Sequence, residues 1–181
     1  MISVVDYLQL KAYARIEGLI FGLWGVVTFA CFIGSLHDAG LEMLSSIGVI
    51  CMPFFAFYRL RRFRDKVLGG EISFRRGFAY LAFSFGYASF IMMAAAYVYF
   101  NFVDNGDFLS MIEQRIMMPE MQEAFRQTGV DTAVLRENIN ALAEVRPIDI
   151  AFSILVNGLV MGFFLSLFLG FVCQRKVKSE K

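Results

Sequence analysis

The sequence predicts an all-α integral membrane four-helix bundle with an extracytoplasmic amphipathic helical hairpin between helices three and four. Three observations carry that expectation. Four apolar runs, near Ile16 to Leu36, Met43 to Tyr58, Gly77 to Val103 and Ile148 to Cys173, approach or exceed the length needed to cross a ~30 Å hydrocarbon core. Hydrophobic residues make up 58% of the 181, with 21 Phe and a mean hydropathy of +0.60, more than an ordinary soluble domain carries. A formal net charge of +1 conceals a segregation of cations into some of the segments between the runs and not others.

At 1.5 Å rise per residue the first run reaches about 31 Å and the fourth about 39 Å, enough to span with some tilt. The second reaches about 24 Å, and drawing it from Leu41 to Leu60 adds headgroup-level residues that complete the crossing. Pro53 lies inside it, removing the amide that would bond the Val49 carbonyl, so a kink is expected there. The third run follows Gly69-Gly70 and a Ser73 that suits an N-cap. The whole chain, 1–181, is expected to form a single membrane domain, with spans at about 16–36, 41–60, 77–103 and 148–173 and an outer segment at 104–147. Lys11 and Arg15 before the first run have the look of a signal peptide's start. The run is nevertheless longer than such a segment needs, and no A-x-A-like cleavage site follows it.

Lys and Arg crowd the N-terminus (Lys11, Arg15), the link between helices two and three (Arg59, Arg61, Arg62, Arg64, Lys66, Arg75, Arg76) and the tail (Arg175, Lys176, Lys178, Lys181). The positive-inside rule puts all three in the cytoplasm. The Asp104 to Pro147 segment holds four Arg and no Lys against eight carboxylates, and the Leu36 to Glu42 link carries only His37, Asp38 and Glu42, so both belong outside. An even number of spans independently requires both termini on one side. The Arg59 to Lys66 cluster is read as a topology mark in contact with anionic headgroups, in preference to a nucleic-acid patch, and no nucleic-acid partner is expected.

Lipid supplies no hydrophobic force between helices, so small residues that permit close approach mark the seams. Gly158, Gly162, Ser166 and Gly170 recur every fourth residue in helix four; Gly18, Gly22, Ala30 and Gly34 share that period in helix one, interrupted by Val26. These ridges predict that helices one and four touch. Ionisable groups deep in the spans, the usual sign of transport or catalysis, are scarce. Glu17 sits one turn inside helix one, placed to snorkel or to pair with Arg15 or an arginine of the second link. Asn157 is the strongly polar side chain well inside helix four, expected to bond across helices. Cys31, Cys51 and Cys173 are isolated within or at the ends of spans and read as small buried hydrophobes.

About forty residues between helices three and four read as amphipathic helices and not as a bare loop. Asp107 is expected to cap a first helix whose apolar face is Phe108, Met111, Ile112 and Ile116. Pro119 suits the first position of a second that Gly129 ends. Asp131 or Thr132 would cap a third, with Leu135, Ile139 and Leu142 on one face before Arg146-Pro147. Phe108, Ile112 and Ile116 are the candidate partner-binding residues. Met111, Met117, Met118 and Met121 are read as adaptable packing surface and not as a copper site, and no cofactor or metal is expected. His37 beside Asp38 has neither nucleophile nor metal companion, which argues against catalysis.

The Gly18-Leu19-Ile20-Phe21-Gly22 stretch, Ile72-Ser73-Phe74-Arg75-Arg76-Gly77-Phe78 opening helix three and Tyr97-Val98-Tyr99-Phe100-Asn101-Phe102-Val103-Asp104 closing it give the chain its likeness. With the acidic, Met-containing outer helices, they make it resemble the bacterial membrane family called domain of unknown function 4199, over nearly its full length. That resemblance implies a location in the inner membrane of a Gram-negative cell and supplies no activity. The residues themselves favour a non-enzymatic, multi-pass protein that meets the bilayer and an envelope partner, or a second copy of itself, through the outer segment. The alternative is a small oligomeric transporter or permeation accessory built on the ridges, Pro53 and Asn157.

Overall fold

A computed structural model of the chain describes residues 4–128, 134–135, 141 and 144–175. The described helices are α1 (Val4–Gly34), α2 (Ala39–Val67), α3 (Phe74–Val98), α4 (Asp107–Met117), α5 (Pro119–Thr128) and α6 (Pro147–Cys173), with a single π turn over Tyr99–Val103 continuing α3. Four segments, Tyr7–Gly34, Gly40–Val67, Phe74–Val103 and Pro147–Cys173, are long and apolar enough to cross a membrane. Most of the expected third outer helix, including its caps, Ile139 and Leu142, lies outside the described residues.

Each boundary has a local cause. Asp38 caps α2 by accepting from the Gly40 amide at 2.8 Å, and Glu42 then sits in the first turn, where the helix dipole favours an anion. Ser73 caps α3 by accepting from the Arg76 amide at 3.4 Å. The turn between α2 and α3 needs φ of +68° at Gly69 and +96° at Gly70, a region open to glycine at no steric cost. Helix α2 continues through Pro53. The helices run beyond the expected spans: α1 begins at Val4, ahead of Ile16, and α2 continues to Val67, past Leu60. Both extensions carry charged residues together with core side chains, Leu10 and Ala14 in α1 and Phe63 in α2.

The core sits where α3 meets its neighbours. Helix α3 packs extensively on both α1 and α6, α2 lies mainly against α1, and α2 reaches α3 and α6 over a smaller surface. The expected contact between helices one and four is therefore corrected: the α6 ridge and Gly18 and Gly22 of the α1 ridge address α3, while Gly34 lies against Leu41 of α2. A Cβ at Gly18 would lie 2.4 Å from Cβ of Tyr87, and one at Gly22 2.9 Å from Cβ of Ile91. On α6, a Cβ at Gly158 would meet Ser89 Oγ at 2.5 Å, one at Gly162 Phe85 Cβ at 2.5 Å, and one at Gly170 the Phe78 amide nitrogen at 3.1 Å. Ser166, fully buried, completes that face, its hydroxyl donating to the Gly162 carbonyl at 2.6 Å.

Ala30 leaves the α1 seam and is exposed. A step of four residues overshoots one helical turn by roughly 40°, so a strict four-residue ridge drifts off a partner after two or three steps. Gly25 corrects the drift with a step of three, and a Cβ there would meet Met92 Sδ at 2.7 Å. Further along, the Phe29 ring meets Tyr99 with centroids 5.8 Å apart.

The packing yields a test. Gly162→Leu, forcing a branched side chain into the space of Phe85, is expected to destabilise the detergent-solubilised fold by about 1–3 kcal/mol in denaturant unfolding. Gly86→Ala, whose new methyl would meet only Leu159 Cδ2 at 4.0 Å, should leave the transition unmoved.

Candidate functional site

Two sets of polar contacts stand out from the apolar bundle, one at each end. At the end where α2 turns into α3, Glu17 of α1 is 6% exposed and is gripped by Arg59 of α2. The Arg59 Nε donates to Glu17 Oε2 at 2.5 Å and Nη2 donates to Oε1, the two-pronged geometry that matches a guanidinium to a carboxylate. Tyr80 of α3, fully buried, faces the same carboxylate and stacks on Phe63 with centroids 4.1 Å apart. Along α1, Glu17 lies about 26 Å from Gly34, which places the pair near the edge of a hydrocarbon layer and not at its centre. The cluster therefore joins α1, α2 and α3 through one carboxylate.

Five residues on, Arg64 is buried and reaches the far helix: its Nη1 donates to the Cys173 carbonyl at 3.2 Å while Nε donates to Asp65 at 2.7 Å. The last turn of α6 has no basic residue of its own, and Arg64 supplies a donor to one of its orphan carbonyls. Beside it, Ile72 and Arg175 exchange both backbone hydrogen bonds, at 3.1 and 2.9 Å. Arg61, Arg62 and Lys66 remain exposed on the same stretch of α2.

At the opposite end, α4 straps the α1–α2 link. Its Arg115 Nη2 donates to the Ser35 carbonyl at 2.5 Å and Nη1 lies 3.8 Å from Glu42. Phe108 seats against Phe100 and Phe32, with centroids 5.4 and 6.4 Å away. The N-cap of α4 is Gly106, and the carboxylate that serves the first turn is Asp104, whose Oδ1 accepts from the Phe108 amide at 2.9 Å. This corrects the expectation for Asp107, which falls in the first turn. The bend at Gly106, with φ of +90°, brings Asp104 back under the helix start.

Of the predicted partner-binding residues, Phe108 is thus committed to the bundle, while Ile112 and Ile116 are half-buried further along α4. Helix α5 packs on α4, and Met118 and Met121 at their junction are exposed. Asn157 is also corrected: it faces outward, and its Nδ2 donates to the Ser153 carbonyl of its own helix at 2.9 Å. Cys173 is buried, Cys31 and Cys51 half-buried, and all three thiols are free.

The expected pairing of Glu17 with an arginine of the second link is met by Arg59, 42 residues away. Sequence reading missed Arg64 and Arg115 as structural anchors: they were legible only as charge, because their partners lie 109 and 80 residues away.

The family model described as a protein of unknown function (DUF4199) matches residues 17–175, most of the chain. The chain belongs to that family. No curated protein and no solved structure matches it. The matched region opens on Glu17 and closes on Arg175, so both the ion pair and the Ile72–Arg175 pairing fall inside the family's extent.

The ion pair predicts an asymmetry. Arg59→Leu strands the Glu17 carboxylate and is expected to cost about 3–5 kcal/mol in denaturant unfolding, whereas Glu17→Leu combined with Arg59→Leu should recover most of that loss. A double variant as unstable as the single one would mean that the arginine acts through packing alone.

Proposed function

We propose that this is a multi-pass protein of the bacterial inner membrane, with both termini cytoplasmic, that works without catalysis as an envelope interaction or scaffold protein through its outer segment. The observation that carries the reading is the different treatment of the two outer helices. Helix α4 is tied to the bundle by Phe108 and Arg115, and α5 packs on α4 with Met118 and Met121 left exposed. Flexible thioether side chains on a helix held at a fixed point suit a surface that accommodates a partner. The ionisable groups buried in the bundle, Glu17 and Arg64, are consumed by contacts between helices, which supports a structural role for them. A permeation role draws less support, because Asn157 faces away from the bundle interior.

Orientation rests on charge. The ends of α2 and α6 that carry the arginines lie together, and Tyr7 near the start of α1 meets Phe83 of α3 with centroids 6.1 Å apart, so the start of α1 and the close of α6 share that end, which the positive-inside rule makes cytoplasmic. Reporter fusions at Lys66 and at the C-terminus are expected to register as cytoplasmic and one at Thr128 as exterior; a cytoplasmic Thr128 would invert the map.

Partner capture is the sharper test. Replacing Ile112 and Ile116 with Ser, leaving the Phe108 seat intact, should reduce crosslinked recovery of an envelope protein from native membranes at least tenfold, with membrane insertion unchanged. The triple change that includes Phe108 should also lower thermal stability. Undiminished capture by the Ile112 and Ile116 variant would remove the outer segment from the function.

A further inference from the structure

We infer that the outward face of α6 is a self-association seam, and that its occupant is α6 of a second copy of this chain, paired through Asn157. The inference goes beyond the outer-segment reading and shares with it only the premise that α6 crosses a bilayer. Asn157 lies three residues from residue 160, the midpoint of Pro147–Cys173, and so near the middle of the hydrocarbon. The face of α6 that meets α3 is marked by Ala151, Leu155, Gly162, Leu169 and Cys173. At 100° per residue Asn157 points roughly 140° away from it. One amide N–H is spent on the Ser153 carbonyl, and among the described residues no group donates to the Asn157 Oδ1. Lipid offers that oxygen no donor.

The residues around it have a second periodicity. Ser153, Asn157, Val160, Phe164, Leu167 and Phe171 follow one another at steps of four, three, four, three and four, the spacing of a helix–helix seam distinct from the one facing α3. All but the half-buried Leu167 are exposed. Apolar exposure alone would be satisfied by lipid; the asparagine is not. An amide carries both a donor and an acceptor, so two copies related by a twofold axis satisfy each other, each Nδ2–H donating to the partner copy's Oδ1. A polar residue at one position of such a seam fixes register and number of strands, which suits a reciprocal pair better than a chance contact. Ser153 supplies a small neighbour on the same stripe, allowing the backbones to approach near Asn157.

The test uses the full chain, labelled in two colours and reconstituted in phosphatidylethanolamine–phosphatidylglycerol vesicles over a range of protein-to-lipid ratios, with energy transfer read against dilution. Flotation and thermal unfolding establish separately that each variant is inserted and folded. Wild type is expected to associate, Asn157→Leu to shift half-association to at least tenfold higher protein density, and Phe90→Leu, on an exposed position of α3, to leave it unchanged. A wild type that stays monomeric at every density overturns the proposal and assigns the face to lipid or to a different protein. Association that Asn157→Leu does not weaken, or that Phe90→Leu weakens equally, overturns it too.

Discussion

Everything else in this fold depends on how closely α3 is approached from two sides. In a bilayer the lipid tails compete on equal terms with any apolar side chain, so a helix pair gains only from contacts that lipid cannot reproduce. Here those contacts place the backbone of α1 and α6, at Gly18, Gly22, Gly158 and Gly162, directly against Tyr87, Ile91, Ser89 and Phe85. The bulky groups stand on the central helix and the notches on the flanking ones. The buried serines serve the same end: Ser84, Ser89 and Ser166 each bond the carbonyl four residues back in their own helix, which silences the hydroxyl and leaves a side chain nearly as small as alanine. Helix α3 is consequently the most enclosed of the four, with 33% of its most apolar window buried against 11% for α2.

That disparity explains where the charges go. A helix with so little buried surface gains from polar ties, and α2 adds three to the packing of Phe55, Leu60 and Phe63: Arg59 to Glu17, Arg64 to the Cys173 carbonyl, and Gly48, whose carbonyl accepts from Trp24 Nε1 at 3.0 Å. Two of the long-range arginines, Arg64 and Arg115, end on carbonyls at the close of another helix, where the ladder leaves acceptors unused and the dipole attracts a cation. Each bond joins elements distant in sequence at little desolvation cost to the acceptor, whose alternative at a membrane edge is water. Glu17 differs because it is buried as an anion. It persists in the bundle only with its forked partner in place.

The spans were legible because hydropathy is additive along the chain and each residue contributes without reference to its neighbours in space. The ends of α1 and α2 were not, since Val4 to Arg15 and Arg61 to Val67 mix charged residues with the core side chains Leu10, Ala14 and Phe63, which lowers local hydropathy without ending the helix. Periodicity likewise named the glycines without naming what they touch: a ridge states that some helix comes near, and the pairing of α1 with α6 was the simplest guess among several. The N-cap of α4 is Gly106 in place of the expected Asp107, and the carboxylate that serves the first turn comes from Asp104, chemically like Asp107. The choice between them is made by the positive φ at Gly106, a property of the folded backbone. Asn157 was legible as a group in need of a partner across helices. Its direction was not, because direction depends on which face of α6 meets α3.

The junction between α3 and α4 shows how local chain geometry positions a helix against the bundle. Helix α3 ends in a π turn, in which the Asp104 amide bonds back five residues to the Tyr99 carbonyl at 2.8 Å, widening the last turn by one residue. The widening carries Phe100 toward α1, where its ring lies 6.2 Å from Phe29 and 5.4 Å from Phe108. Asp104, just past the same turn, then accepts from the Phe108 amide in the first turn of α4. Three devices within ten residues thus hold α4 against this end of the bundle, and Arg115 secures it two turns after Phe108. Helix α4 is therefore a continuation of α3 folded back onto the close of α1, tied there by Phe108 on Phe32 and Arg115 on the Ser35 carbonyl.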